Sequence, residues 1–431
     1  MSLSQLDMSS SLVLRKEQLC KRINEQLGCK ATGALLLFGG LDFGHKAFVQ
    51  ESSFYYVTGL SDPGLVWLHE IESKSTIYMP EYRYDKSAWS PMKVSLNTAP
   101  DQVYVDHIKP LGAALRTNEL TLLFDKEEVA SLLIAIERLL RDRKTLFVLN
   151  PHGGSEYIEQ RIFLNRLIQF MPDIADALVD ISPLIADLRR TKESLEIDSI
   201  FHAVQLGIAA QRLAADSIAD NEPESLVQAS AEWVMTAAGA QPSFTSIVAG
   251  GKNATVLHYA NNNGFLKNGQ MVVVDIGARL EGYCSDLTRS YPVSGKFNKR
   301  QKELYSIVLE VQRHIEEVAK PGFWLSNKEY PEKSLHHIAQ TVFARYGLDA
   351  YFIHNIGHFL GLDVHDVGDV SQPLRPGDVI TIEPGLYIPD EEIGIRIEDD
   401  YWMAGRGLVC LSDDLEKDIE AIEDLMRKKN G

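Results

Sequence analysis

The chain has 431 residues, 45% of them hydrophobic, with 43 Lys plus Arg against 60 Asp plus Glu and a formal net charge of −17. That length exceeds what one hydrophobic core ordinarily serves, so two domains are expected. So acidic a surface repels phosphate backbones and anionic headgroups, which sets nucleic acid and membranes aside as partners.

The four cysteines, Cys20, Cys29, Cys284 and Cys410, show neither CxxC spacing nor the density of a disulfide scaffold, which fits a reducing compartment. No basic segment leads into an apolar stretch at the N-terminus. The longest apolar run, GALLLFGGL, is too short to span a bilayer, so a cytoplasmic protein is expected.

From residue 15 to about 181, the short apolar runs ALLLF, SFYYVTGL, LTLLF and TLFVL alternate with helical stretches such as VASLLIAIERLLRD. This is the pattern of a small α/β domain. Near residue 183, in PLIADLRRTK, the pattern changes to a long helix carrying Ile197, Ile200, Val204 and Ile208, which predicts domains 1–182 and 183–431. Leu304, Ile307, Val311 and Ile315 mark a further helix ended by Pro321 and Gly322. Leu335, Ile338, Val342 and Tyr346 mark another, stopped by Gly347, and Leu415, Ile419, Ile422 and Met426 a last one. The second domain thus reads helix, acidic hairpin, two helices, histidine-rich segment, second acidic hairpin, helix. Two hairpin-plus-helix units imply pseudo-twofold architecture.

The hairpins carry the chemistry. In MVVVDIGARLEGYCSDLTRSY, two β-rich runs flank residues 279–282, and an antiparallel pair closed there sets Asp275 opposite Asp286. VITIEPGLYIPDEEIGIRIED repeats the device about 389–392 and sets Glu383 opposite Glu398. Like charges directly opposed in apolar strands are destabilising, so two such pairs ask for a cation. Carboxylate and imidazole donors without thiolate suit Mn²⁺, Co²⁺, Fe²⁺ or Zn²⁺. Four acids and a histidine exceed the needs of one ion, so two ions sharing bridging carboxylates are expected. The competing structural reading has Asp286, Glu398 and Asp399 capping turns and Asp275 pairing with Arg279 or Arg289.

The segment HNIGHFLGLDVHD supplies His354, His358 and His365 just before the second hairpin, one expected to ligate and two to line the site. His354 and His358 have the spacing of a helical HExxH zinc site, but the glutamate is missing and Gly357 and Gly361 weaken a regular helix. His258, in VLHYANN, is a fourth candidate.

These residues resemble, block by block, the pita-bread metallopeptidases, and within them aminopeptidase P and prolidase. FVQESSFYYVTGLSDP resembles the signature of the creatinase-type N-terminal domain. SIVAGGKNATVLHY, VVVDIGARLEGYCSDLTRSYPVSGKF, FIHNIGHFLGLDVHDVG, ITIEPGLYI and GIRIEDD resemble the successive catalytic blocks, in order and over nearly the whole chain. The resemblance implies an α/β (α+β) architecture, with a creatinase-type N-terminal α/β domain followed by a pita-bread domain of curved antiparallel sheet and pseudo-twofold symmetry. It implies two divalent metal ions, usually manganese in this branch, held by Asp275, Asp286, His358, Glu383 and Glu398. Asp286 and Glu398 would bridge the ions, His358 and Glu383 complete one, and Asp275 hold the other.

The implied reaction is metal-assisted hydrolysis of an Xaa-Pro bond at the N-terminus of a peptide with proline in second position, with an Xaa-Pro dipeptidase as the alternative. A binding or scaffold protein on the same fold would lack a ligand, and none is missing. By resemblance, Glu383 also shuttles the proton, His365 donates to the developing oxyanion, and His354 holds the proline side. His258 assists at the leaving nitrogen or carbonyl, and Arg396 orients the ligands. Self-association into a homo-oligomer, a dimer or tetramer, is implied as well.

Three departures stand out. Phe244 occupies a position where the family usually has tyrosine, which removes a hydroxyl that would partner Arg396. The run VGDVSQPLRPGD after Asp366 is short and lacks an arginine, and Arg375 reads as a surface turn. MPEYRYDKSAWSPMK only loosely matches its family segment, and Trp89 there reads as packing rather than as a substrate contact.

Overall fold

The computed structural model describes residues 3–28, 32–42, 48–71, 73–81, 94–112, 125–149 and 157–427. Cys29, Trp89 and the run LTLLF at 120–124 lie outside the described residues. The chain divides into two compact units, Met1–Arg189 and Arg190–Gly431, the break falling at the end of a helix that spans Ser182–Arg190. Among the described residues, no helix is long and apolar enough to cross a membrane.

The first unit is built on a six-stranded mixed sheet. ALLLF and TLFVL form strands as expected: Gly33–Phe38 runs antiparallel to Val66–Glu70 and parallel to Thr145–Val148. All six residues of Gly33–Phe38 are buried, as a near-continuous apolar run covered on both faces should be. SFYYVTGL, by contrast, belongs to the helix Ser52–Thr58. Its aromatic and β-branched content favours a strand, but the Glu51 side chain accepts from the Ser53 and Phe54 amides and Gly59 closes the other end at φ 68°. Local capping outweighs propensity there. The helix Ala130–Arg141 buries Leu132, Leu133, Ile136 and Leu139 against the sheet, at the spacing its sequence shows.

In the second unit the long helix is Ser194–Ser217, opened by a capping box between Glu193 and Glu196. A helix not anticipated, Glu224–Ala237, packs on it. Lys299–Val318 and Leu335–Arg345 follow the apolar spacings, and the last helix, Ile419–Arg427, leaves Leu415 buried just ahead of it.

The first acidic hairpin differs from expectation in its register. Met271–Ile276 pairs with Leu287–Pro292 so that Asp275 faces Thr288, not Asp286. The turn is the two-residue Glu281-Gly282, with φ of 50° and 92°, as a primed hairpin turn demands. Moving the turn by one residue shifts every cross-strand partner by two. Asp286 thereby becomes a diagonal neighbour of Asp275 on the same face. In the second hairpin, Ile382 faces Asp399 and Gly385 faces Arg396, which carries Glu383 opposite Glu398 as anticipated. A single antiparallel bridge between Thr288 and Glu398 ties the two hairpins together. The apolar faces of these strands pack with the helices into one core that includes Val272, Val274, Ile380, Ile382, Ile395 and Ile397.

Candidate metal centre

Strand alternation aims the acids at one another, and the histidine segment closes over them in extended form. His358 and Thr381 exchange two hydrogen bonds, Thr381 N to the His358 carbonyl at 2.9 Å and His358 N to Thr381 Oγ1 at 3.1 Å, while Glu383 N donates to the Ile356 carbonyl at 2.9 Å. Gly357 is what lets the segment lie so close, because a Cβ there would sit 2.0 Å from the Thr381 carbonyl oxygen. The helical HExxH geometry is therefore absent.

His358 brings its Nδ1 to the Phe359 carbonyl oxygen at 3.0 Å. A carbonyl only accepts, so Nδ1 carries the hydrogen and the Nε2 lone pair is left facing the acids. Nε2 lies 3.3 Å from Asp286 Oδ2 and 3.7 Å from Glu383 Oε1. Ligand atoms of Asp286, His358 and Glu398 all fall within 4.8 Å of one another. Asp286 Oδ1 and Asp275 Oδ1 are buried without a hydrogen-bond partner. Buried carboxylate oxygens without donors are costly, and divalent cations are the groups this donor set fits.

The electrostatics point the same way. Burial, then repulsion from Glu398, raises the Asp286 and Glu383 carboxyls well above the ordinary carboxylate range. Burial, then repulsion from Asp275, pushes Glu398 up to about 7. Without added positive charge, the acids hold on to protons.

Arg396 supplies part of that charge. It donates to Asp275 Oδ2 at 2.6 Å, to Tyr387 Oη at 2.7 Å and to Thr288 Oγ1 at 3.2 Å, and Thr288 in turn donates to Glu398 Oε2 at 2.6 Å. Burial works against its charge, yet Tyr387 and Asp275 hold its guanidinium firmly protonated. The pairing of Asp275 with Arg279 or Arg289 does not occur. Arg279 donates to the Leu362 carbonyl, and Arg289, fully buried, pairs with Asp399 at 2.7 Å. Arg289 also donates to the backbone carbonyls of Thr288, Glu398, Leu415 and Glu416, while Ser412, Lys417 and Gln312 donate to Asp399. This clamp holds the Glu398 backbone from behind.

His354 stands beside the acids, with Nδ1 donating to the Asn355 carbonyl at 2.7 Å and Nε2 accepting from the Tyr387 hydroxyl at 3.0 Å. Burial, with Arg396 adding to it, pushes its pKa down to about 3. The His365 ring packs edge-on to His358 at 4.3 Å between centroids, and burial and His358 lower its pKa too. His258 is exposed, in a turn after the short helix Gly251–Thr255, and its charge acts on both His354 and His365. Its loop is pinned by the buried Glu224, whose carboxylate accepts from Gly250 N, Asn253 Nδ2, Tyr259 Oη and Gly264 N at 2.7–2.9 Å. Arg375 forms a turn with Asp378, as its sequence context predicts.

Four polar residues of the centre have no place in the sequence reading: Thr288, Thr381, Tyr387 and Asp400, the last accepting from Asp286 N at 3.0 Å. Tyr387 faces Gly394, two positions from Arg396 in the hairpin register, so that register was the available signal. Tyr387 also supplies Arg396 with the hydroxyl partner that Phe244 lacks.

Known proteins resemble the chain along its length. The model of metallopeptidase family M24 matches residues 198–404, and that of the aminopeptidase P N-terminal domain matches residues 15–128. An Xaa-Pro dipeptidase of Pyrococcus horikoshii is 39% identical, over 81% of this chain and 87% of its own. An Xaa-Pro aminopeptidase of Haemophilus influenzae is 29% identical, over 91% and 93%. Among solved structures, a zinc-substituted Escherichia coli aminopeptidase P in complex with product superposes with a TM-score of 0.81 at 25% identity, covering 98% of this chain and 99% of that one. With a creatinase-type α/β unit followed by a pita-bread unit whose acids and histidine converge, the chain belongs to the aminopeptidase P and prolidase family of metallopeptidases.

Proposed function

We propose that the chain is a proline-specific metalloaminopeptidase that hydrolyses the Xaa-Pro bond at the N-terminus of peptides. The observation that carries this reading is the convergence of Asp286, His358 and Glu398 within 4.8 Å around carboxylate oxygens with no donor. Asp275, Asp286, His358, Glu383 and Glu398 would hold two divalent ions, with manganese the preferred metal, which supply Lewis acidity to the attacking water and the scissile carbonyl.

The chain's own residues do the rest. Glu383, ionised once the metal positions are filled, takes the proton of the attacking water and returns it to the leaving nitrogen. His365 donates to the oxygen on which charge develops, and His258 assists at the leaving nitrogen or carbonyl. His354, kept neutral, holds the proline side, and Arg396 fixes Asp275. An Xaa-Pro bond has no amide hydrogen to anchor, so recognition rests on the proline ring and on the free N-terminus. We assign the N-terminal domain to 1–182 and the catalytic domain to 183–431, and place the enzyme in the cytoplasm as a dimer or tetramer.

The 39% identity to an Xaa-Pro dipeptidase keeps one competing reading open. Turnover of Xaa-Pro dipeptides against Xaa-Pro-Xaa tripeptides in manganese separates the two: the aminopeptidase reading requires faster cleavage of the tripeptides, and activity confined to dipeptides rejects it.

A further inference from the structure

In the first unit, helix Ala130–Arg141 and the edge of the six-stranded sheet enclose a cleft of about 380 Å³. Its chemistry runs against the rest of the chain. Strand alternation and the strand register bring Leu68, Thr76 and His107 into one cross-strand row and Tyr78 and Lys109 into the next, all on one face. Helical spacing lines Ser131, Ile134, Arg138 and Arg141 along the opposite wall.

The single acid of the lining, Glu70, is already engaged by Arg138 and by Lys144. Lys74, His107, Lys109 and Arg141 make no ion pair among the described residues. In a chain of net charge −17, the three cations Lys74, Lys109 and Arg141 around one concavity form a local field of the opposite sign. A second observation is independent of charge. Tyr78, 3% exposed, lines the floor of the cleft, and its hydroxyl makes no hydrogen bond among the described residues. A tyrosine hydroxyl both donates and accepts, so Tyr78 offers a donor to whatever fills the space. Beside it, Ile134 is 67% exposed on the helix, and with Ala135 and Leu68 it makes an apolar wall.

We infer that this cleft is a binding site for a small organic phosphate, a phosphate monoester whose dianion meets the basic end and whose carbon body lies along Ile134. Several cations for one ligand group match a dianion better than a single carboxylate, and arginine with lysine is the usual pairing for phosphate oxygens. The volume suits a metabolite-sized molecule. None of the proposed metal ligands lines the cleft, so the inference stands apart from the peptidase reading.

The test is calorimetric titration of the full, metal-free chain at constant ionic strength with phenyl phosphate, inorganic phosphate and benzoate. Phenyl phosphate is expected to bind saturably at one site, at least ten-fold more tightly than either of the others. The exposed double variant Lys109→Met, Arg141→Met is expected to weaken phenyl phosphate by ten-fold or more, and Tyr78→Phe by several-fold, with peptidase turnover of the double variant unchanged. Equal affinity in the double variant, heats that do not saturate, or inorganic phosphate binding as tightly as the ester would each overturn the assignment.

Discussion

Arg396 and Asp275 meet at 2.6 Å with both side chains almost wholly buried, so this acid is held by a fixed cation rather than by its hairpin partner. Removing the guanidinium leaves a carboxylate uncompensated in the interior. Arg396→Met is expected to cost the metal-free protein about 3–5 kcal/mol and to weaken metal binding by roughly 10–100-fold. Denaturant unfolding and manganese titration measure the two effects separately. Unaltered metal affinity would show that Asp275 needs no such support.

Glu398 makes the metal-free protein sensitive to pH. Its carboxyl rises from an ordinary 4.5 to about 7 in the folded chain, so the folded state binds a proton more tightly than the unfolded one. Stability of the metal-free form is therefore expected to fall as pH rises from about 4.5 through 7, with Asp286 and Glu383, shifted the same way, adding to the loss. Divalent metal should reverse that loss above pH 7. Thermal unfolding across this range, with chelator and with manganese, provides the check; a metal-free Tm that climbs with pH would refute it.

Glu224→Gln tests the pin beneath His258. The amide presents hydrogens where Gly250, Asn253, Tyr259 and Gly264 now donate to a carboxylate, which should cost about 1–3 kcal/mol and loosen residues 250–264. Turnover is expected to drop several-fold while metal content stays intact. Hydrogen exchange over that loop reports the cause; a protected loop with lowered turnover would mean that Glu224 acts by another route.

Gly357→Ala forces a methyl group onto the Thr381 carbonyl. The histidine segment must lift, carrying His358 away from Asp286, at an expected cost of about 1–3 kcal/mol together with loss of metal binding. Metal analysis of the purified variant decides it. Full occupancy would mean that the segment can shift without losing its ligand.

Much of this centre is visible in the chain itself, because an apolar strand rarely tolerates an acid. Glu383 and Glu398 were placed opposite each other by their four-residue turn, and the structure keeps that register. The same reasoning sets Asp275 opposite Asp286, and there the register differs, because Glu281 adopts a positive φ that only the folded hairpin imposes, and one residue of turn position moves the partner by two. The helix at Ser52–Thr58 was hidden for a different reason: its caps lie outside the aromatic run that reads as a strand. Tyr387 and Thr288 carry no charge pattern of their own. They join the centre only once Arg396 and Asp275 have partners to face, which is a matter of register rather than of composition.

The clamp around Arg289 gives the far end of the chain a stake in chemistry it never touches. Leu415 and Glu416 lend their carbonyls to Arg289, and Ser412 and Lys417 steady Asp399, yet all four lie downstream of the stretch 198–404 that the family match spans. A recombinant fragment trimmed to that stretch would keep the Arg289–Asp399 pair but take away its four partners at 412–417, leaving the buried pair behind Glu398 short of hydrogen bonds.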